Sequence, residues 1–93
     1  MNKYLVVISH KNGHTLDRLS IEILEHLRAT SPHRKIVPFR PHLILFAGTE
    51  SPVHIYTALA TYSDPLEGQL VLLQLGDEFH GDPLPGLAEL FQS

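Results

Sequence analysis

Seven histidines in 93 residues are the side chains of this chain best suited to chemistry. His10, His14 and His42 stand at segment ends that a single sheet would gather, and three imidazoles are a donor set for zinc at about 2.0–2.1 Å. No His-x-His pair, His-Glu-x-x-His run or cysteine accompanies them, so solvent-facing loop histidines are the simpler reading. Asp77, Glu78 and His80 would suit a hard cation, which prefers carboxylate oxygens; a solvated turn accounts for the same residues. His14 and Asp17 lie about one helical turn apart, the spacing of a general base and its orienting acid. An acid near a helix start, where the dipole favours it, explains Asp17 more simply. Ser9 and His10 are adjacent, and adjacent strand residues point to opposite faces, which argues against a serine nucleophile with its base. The sequence carries no complete catalytic motif, and no cofactor is expected.

Charge is the sharper signal. All seven lysines and arginines fall within the first 40 residues. Residues 1–48 hold seven basic and three acidic side chains, formally +4, while residues 49–93 hold seven acidic and none basic, formally −7. The net charge of −3 therefore hides a dipole, which points to a kind of surface and partner. Lys11, Arg34, Lys35 and Arg40 form a basic set able to neutralise phosphates. A nucleic-acid footprint usually belongs to a basic domain, and Phe39 is the one aromatic beside the set, too few for a single-strand stacking platform. Basic side chains that protect an edge strand from aggregation explain the same four residues.

The length fits one domain. At this size folding buries only about 60–65% of the chain's surface, so dimerisation would add needed stability. A hydrophobic content of 43% argues against disorder. The absence of cysteine excludes disulfides and thiolate metal sites and suits the reducing cytoplasm. The first apolar run, Tyr4 to Ile8, is too short for a signal peptide or a membrane span, so no membrane role is expected.

The elements that must position these residues follow from periodicity. Tyr4 to Ser9 reads as a buried strand closed by the turn His10 to Gly13. Thr15 is the expected cap of a helix whose inner face is Leu16, Leu19, Ile23 and Leu27, with Asp17 in its first turn and Arg28 in its last. Residues 34–40 read as a second strand, and Pro38, lacking a backbone donor, places it at a sheet edge. His42 to Ala47 reads as a central strand. Ser51 followed by Pro52 starts a second helix with Ile55, Tyr56, Leu59 and Tyr62 facing inward. A loop over 64–68 leads to a fourth strand, Gln69 to Leu75. The βαββαβ order predicts an α+β, ferredoxin-like sandwich: a four-stranded antiparallel sheet in the order 4-1-3-2 with two helices on one face. Residues 1–82 form that domain and 83–93 a proline-rich tail.

The topology sorts the candidates into two ends. Ser9, His10, Lys11, Arg40, His42 and His14 share one, and His33, Arg34, Thr49, Asp77, Glu78 and His80 the other. Helix 2 adds a different kind of candidate. From Ser51 to Ser63 it holds no Asp, Glu, Lys or Arg, and its outward residues His54, Thr57, Ala58 and Thr61 are small and weakly polar. Charge depletion of this kind marks the core of an interface; chance in a short helix would give the same pattern.

From Tyr4 to Gly81 the chain resembles the SinR-like proteins, a small ferredoxin-like group related in fold to the CRISPR-associated spacer-acquisition endonuclease subunit. The resemblance is carried by Tyr4-Leu5-Val6-Val7, Val37-Pro38-Phe39, Leu43-Ile44-Leu45, Thr49-Glu50-Ser51, and Leu70 to Leu75 followed by Gly76-Asp77-Glu78-Phe79-His80-Gly81. In the related nucleases an aspartate at the end of strand 1 binds the divalent metal near the dimer axis. That position here is Ser9, and a neutral hydroxyl is a poor ligand for a hard cation. The resemblance thus implies a dimeric bacterial scaffold with its metal site lost.

The expected function is that of a small cytoplasmic homodimer, paired through edge strand 4 with the tail or through helix 2, that binds nucleic acid or a partner protein. The alternative is a divalent-metal-dependent endoribonuclease or endodeoxyribonuclease using Asp77, Glu78 or the histidines, with His10, His14, His42 and Asp77 as the weak metal set.

Overall fold

Strand β1 (Asn2–Ser9) buries Tyr4, Val6 and Ile8 on one side and leaves Leu5 and Val7 half-buried on the other, because successive strand side chains point to opposite faces. The computed structural model describes residues 2–40 and 42–76; Asp77, Glu78, His80 and the segment 83–93 lie outside the described residues.

Five further elements follow. They are helix α1 (Gly13–Thr30), strands β2 (Ile36–Arg40) and β3 (Leu43–Gly48), helix α2 (Pro52–Ser63) and strand β4 (Gln69–Leu75), with a short 3-10 helix, Asp64–Leu66, before β4. The sheet order is β2-β3-β1-β4 with every neighbouring pair antiparallel, the expected 4-1-3-2 arrangement read from the other edge. Both edges are therefore single strands, β2 and β4.

The main core lies between the sheet and the two helices. Tyr4, Val6, Ile8, Ile44, Phe46 and Leu70 meet Leu19, Ile23 and Leu27 of α1 and Ile55 and Leu59 of α2. Each such side chain, fully buried, contributes about 1.5–3 kcal/mol. Tyr4 and Phe46 are cross-strand partners with ring centroids 5.4 Å apart, and the Tyr4 hydroxyl donates to the Glu50 carbonyl at 2.7 Å. The opposite face of the sheet carries a second apolar cluster: Val37, Leu45 and Ala47 with Leu5, Phe39 and Leu75.

Four local expectations are corrected. Helix α1 is capped by Asn12, whose side-chain oxygen accepts from the His14 amide at 2.9 Å, not by Thr15. The helix thus begins before Thr15, and Asp17 falls beyond the first turn. Strand β2 starts at Ile36, leaving Arg34 and Lys35 in the approach to it. On α2, Tyr56 is 47% exposed: it stands about 100° around the helix from Ile55, off the stripe formed by Ile55, Leu59 and Ser63. The Ser51 cap and Pro52 at the start of α2 stand as expected, the Ser51 hydroxyl accepting from the His54 amide at 3.3 Å.

Candidate functional site

His10 is consumed by the scaffold. Its Nδ1 accepts the Asn12 amide at 2.8 Å, so Nε2 carries the proton and donates to the Leu66 carbonyl at 2.6 Å. Both ring nitrogens tie the β1–α1 turn to the 3-10 helix ahead of β4, which leaves no lone pair for a metal. His14 is exposed on the first turn of α1, and His42 is half-buried ahead of β3. Among the described residues, no three His, Cys, Asp or Glu side chains are grouped to hold a metal ion. Asp77, the fourth member of that expected set, lies outside them.

The basic set is also divided. Arg34 is not on the surface: its side chain is 2% exposed, and Nη2 lies 2.6 Å from Glu50 Oε2. Its guanidinium carbon lies 5.5 Å from the centroid of the Phe46 ring, and its Nε is buried without a hydrogen-bond partner. The expected phosphate contact at Arg34 is therefore replaced by an internal ion pair. Because β2 begins only at Ile36, Arg34 sits in the approach to it, where it meets Glu50, two residues past the end of β3. Gly48 makes room for the pair: a Cβ there would stand 2.9 Å from Glu50 Oε1 and 3.6 Å from Arg34 Nη1. Partial burial pushes the Glu50 carboxyl up, but the Arg34 hydrogen bond and charge, with backbone donors, outweigh it and hold it below its ordinary value. Lys11 and Arg40 remain exposed at one end of the sheet, and Lys35 is exposed at the other end of β2.

The ion pair forms part of a cleft of about 400 Å³ between the end of α1 and the start of α2, lined also by His26, Thr30, Thr49 and His54. His26 Nδ1 and the Tyr62 hydroxyl are 2.9 Å apart, with the rings 5.2 Å apart. Burial first, then the Arg34 charge, lowers the His26 pKa; Glu50 opposes them. Arg34 and Glu50 neutralise each other, so this network fastens α1, the approach to β2, the β3–α2 turn and α2 to one another. Two opposite charges placed just outside the ends of an antiparallel β2–β3 pair were the sequence signal for it.

The α2 candidates stand at the surface. His54, Thr57 and Thr61 are exposed, and Ala58 is half-buried beside His54 in the cleft. Thr57 Oγ1 donates to the Val53 carbonyl at 2.8 Å, and Thr61 Oγ1 donates to the Ala58 carbonyl. Those hydroxyls are thus satisfied within the helix, and the surface is less polar than its residue types suggest. Sequence reasoning passed over three larger residues there and nearby, Val53 at 76% exposure on α2 and Val71 at 52% and Leu73 at 46% on β4, and turned a fourth, Tyr56 on α2, inward. Helix α2 packs on β4, and neither element contains Asp, Glu, Lys or Arg. The signal for Val71 and Leu73 was a strand apolar on both of its faces at a sheet edge.

No helix among the described residues is long and apolar enough to cross a membrane. Compared with protein-family models, curated proteins and solved structures, the chain matches none.

Proposed function

We propose that this chain is a non-enzymatic interaction domain that forms a homodimer and binds through the surface built by α2 and β4. One observation carries the reading. Among the described residues the exposed large apolar side chains are Ile21, Val53, Tyr56, Val71 and Leu73, and all but Ile21 belong to these two uncharged, mutually packed elements. Val71 and Leu73 lie on the helix-free face of the sheet and Val53 and Tyr56 on the helix that packs behind the same edge, so exposed apolar side chains gather on both sides of one edge. Such gathering marks an interaction site, and depletion of charge marks the centre of an interface. The basic set supports a nucleic-acid reading less well, since Arg34 is spent on Glu50. The resemblance to SinR-like proteins, with Ser9 in the place of a metal-binding aspartate, agrees with a scaffold that binds without cutting. Sedimentation velocity over a concentration series tests the proposal: a dimer is expected, and a monomer at every concentration overturns it.

A further inference from the structure

The two edges of the sheet are built differently. Strand β2 has five residues, is interrupted by Pro38 and a register shift between Pro38 and Arg40, and carries a charge just before it at Lys35 and at its last residue, Arg40. These are the devices that block pairing with another chain. Strand β4 has seven residues, Gln-Leu-Val-Leu-Leu-Gln-Leu, with no proline and no charge, and its register with β1 runs unbroken from Gln69 to Leu75. Among the described residues no other strand pairs with this edge, and an open edge of this length is a template for a further strand.

We infer that the strand it receives is β4 of a second copy, paired antiparallel about a twofold axis through Leu72, so that two four-stranded sheets become one of eight. The inference deepens the interaction reading above and rests on it. In a continuous antiparallel pair, opposed residues share a face, so full overlap of the strand with itself allows one register. It sets Gln69 opposite the partner's Leu75, Leu70 opposite the partner's Gln74, Val71 opposite the partner's Leu73, and Leu72 opposite itself. The two exposed apolar residues of the strand thereby pair with each other, twice over. Within one chain Val71 lies beside Val7 and Leu73 beside Leu5, and Val7 lies beside Leu43 and Leu5 beside Leu45. The pairing therefore turns two short apolar rows into rows that cross both protomers without a charge in them. Because α2 packs on β4, the same axis sets the two α2 helices on either side of the junction, on the other face of the sheet. A closed twofold contact of this kind uses one patch twice and needs no second surface.

The register supplies its own test. V71K and L73E, each alone, set a charge against an apolar partner twice per dimer, and each is expected to weaken self-association on the order of tenfold or more in sedimentation equilibrium. Mixing the two variants should restore a 1:1 heterodimer near the wild-type affinity. In that heterodimer the introduced lysine faces the introduced glutamate, and the remaining Leu73 faces the remaining Val71. Far-UV circular dichroism checks that each variant is folded. A variant that does not fold is replaced by hydrogen exchange on the wild-type chain, where protection of β4 amides should rise with concentration through the dimerisation range. Dimers that resist both substitutions, that are lost on mixing as they are alone, or that form without added β4 protection overturn the pairing. If V53E dissociates such a dimer, the interaction reading survives without the pairing. A wild-type chain that is monomeric throughout ends both.

Discussion

The Arg34 guanidinium and the Glu50 carboxylate, sixteen residues apart, meet at 2.6 Å with unequal access to water: 2% exposure for the arginine side chain against 30% for the glutamate. That inequality predicts an asymmetric response to substitution. Glu50→Ala strands a buried cation and is expected to cost about 3 kcal/mol. Arg34→Met leaves a carboxylate that can rehydrate and keeps an apolar chain against Phe46, so about 1 kcal/mol is expected. Urea unfolding of the two variants measures the difference, and equal losses would mean that the pair is not buried from one side.

Acid should destabilise the fold in two stages of the same sign. The folded-state pKa of His26 lies below its ordinary 6.5, so below that pH the unfolded chain binds a proton that the folded protein resists. Stability is complete above 6.5 and falls as pH drops toward the lowered folded value. Glu50, held below its ordinary 4.5, adds a second loss beneath that pH as its carboxylate is neutralised against Arg34. Urea midpoints recorded from pH 7.5 to 3.5 should trace both losses. His26→Gln should flatten the first and leave the second.

The turn into β4 depends on a glycine. A Cβ on Gly68 would stand 2.5 Å from Leu19 Cδ2, inside the core. Glu67, with φ of 56°, takes the left-handed conformation just before it, while the Gly68 amide donates to the Ser63 carbonyl at 2.9 Å. Gly68→Ala must displace a fully buried leucine and should cost about 1–3 kcal/mol. Pairing it with Leu19→Val, which opens space, should recover part of that loss in thermal unfolding.

The periodic features of the chain were the readable ones. Apolar spacing in α1 and α2, the Ser51-Pro52 start and the proline at the β2 edge lead to the observed sheet order without any tertiary information. The cap of α1 escaped because Asn12 stands inside a turn-rich stretch where Thr15 offers an equally good hydroxyl. Arg34 was misplaced on the surface because a charge in a loop is ordinarily solvated, and its burial depends on a partner beyond the next strand. Val71 and Leu73 were assigned to edge strand 4 correctly, yet their exposure was not drawn from that place; it follows from their position on the helix-free face at the sheet edge.

Nucleic acid offers the last discriminating measurement. Removing Arg34 from the basic set leaves Lys11 and Arg40 at one end of the sheet and Lys35 at the other end of β2, a span of roughly 16 Å at about 3.3 Å per residue. Scattered single charges release few counterions, and the affinity they supply falls away steeply with salt. Gel retardation with single- and double-stranded RNA and DNA is therefore expected to show no complex near physiological salt. Any shift at low salt should vanish in Lys11→Ala/Arg40→Ala and persist in Arg34→Met. A salt-resistant complex that depends on Arg34 would require the ion pair with Glu50 to open, and would move the functional surface from β4 to the start of β2.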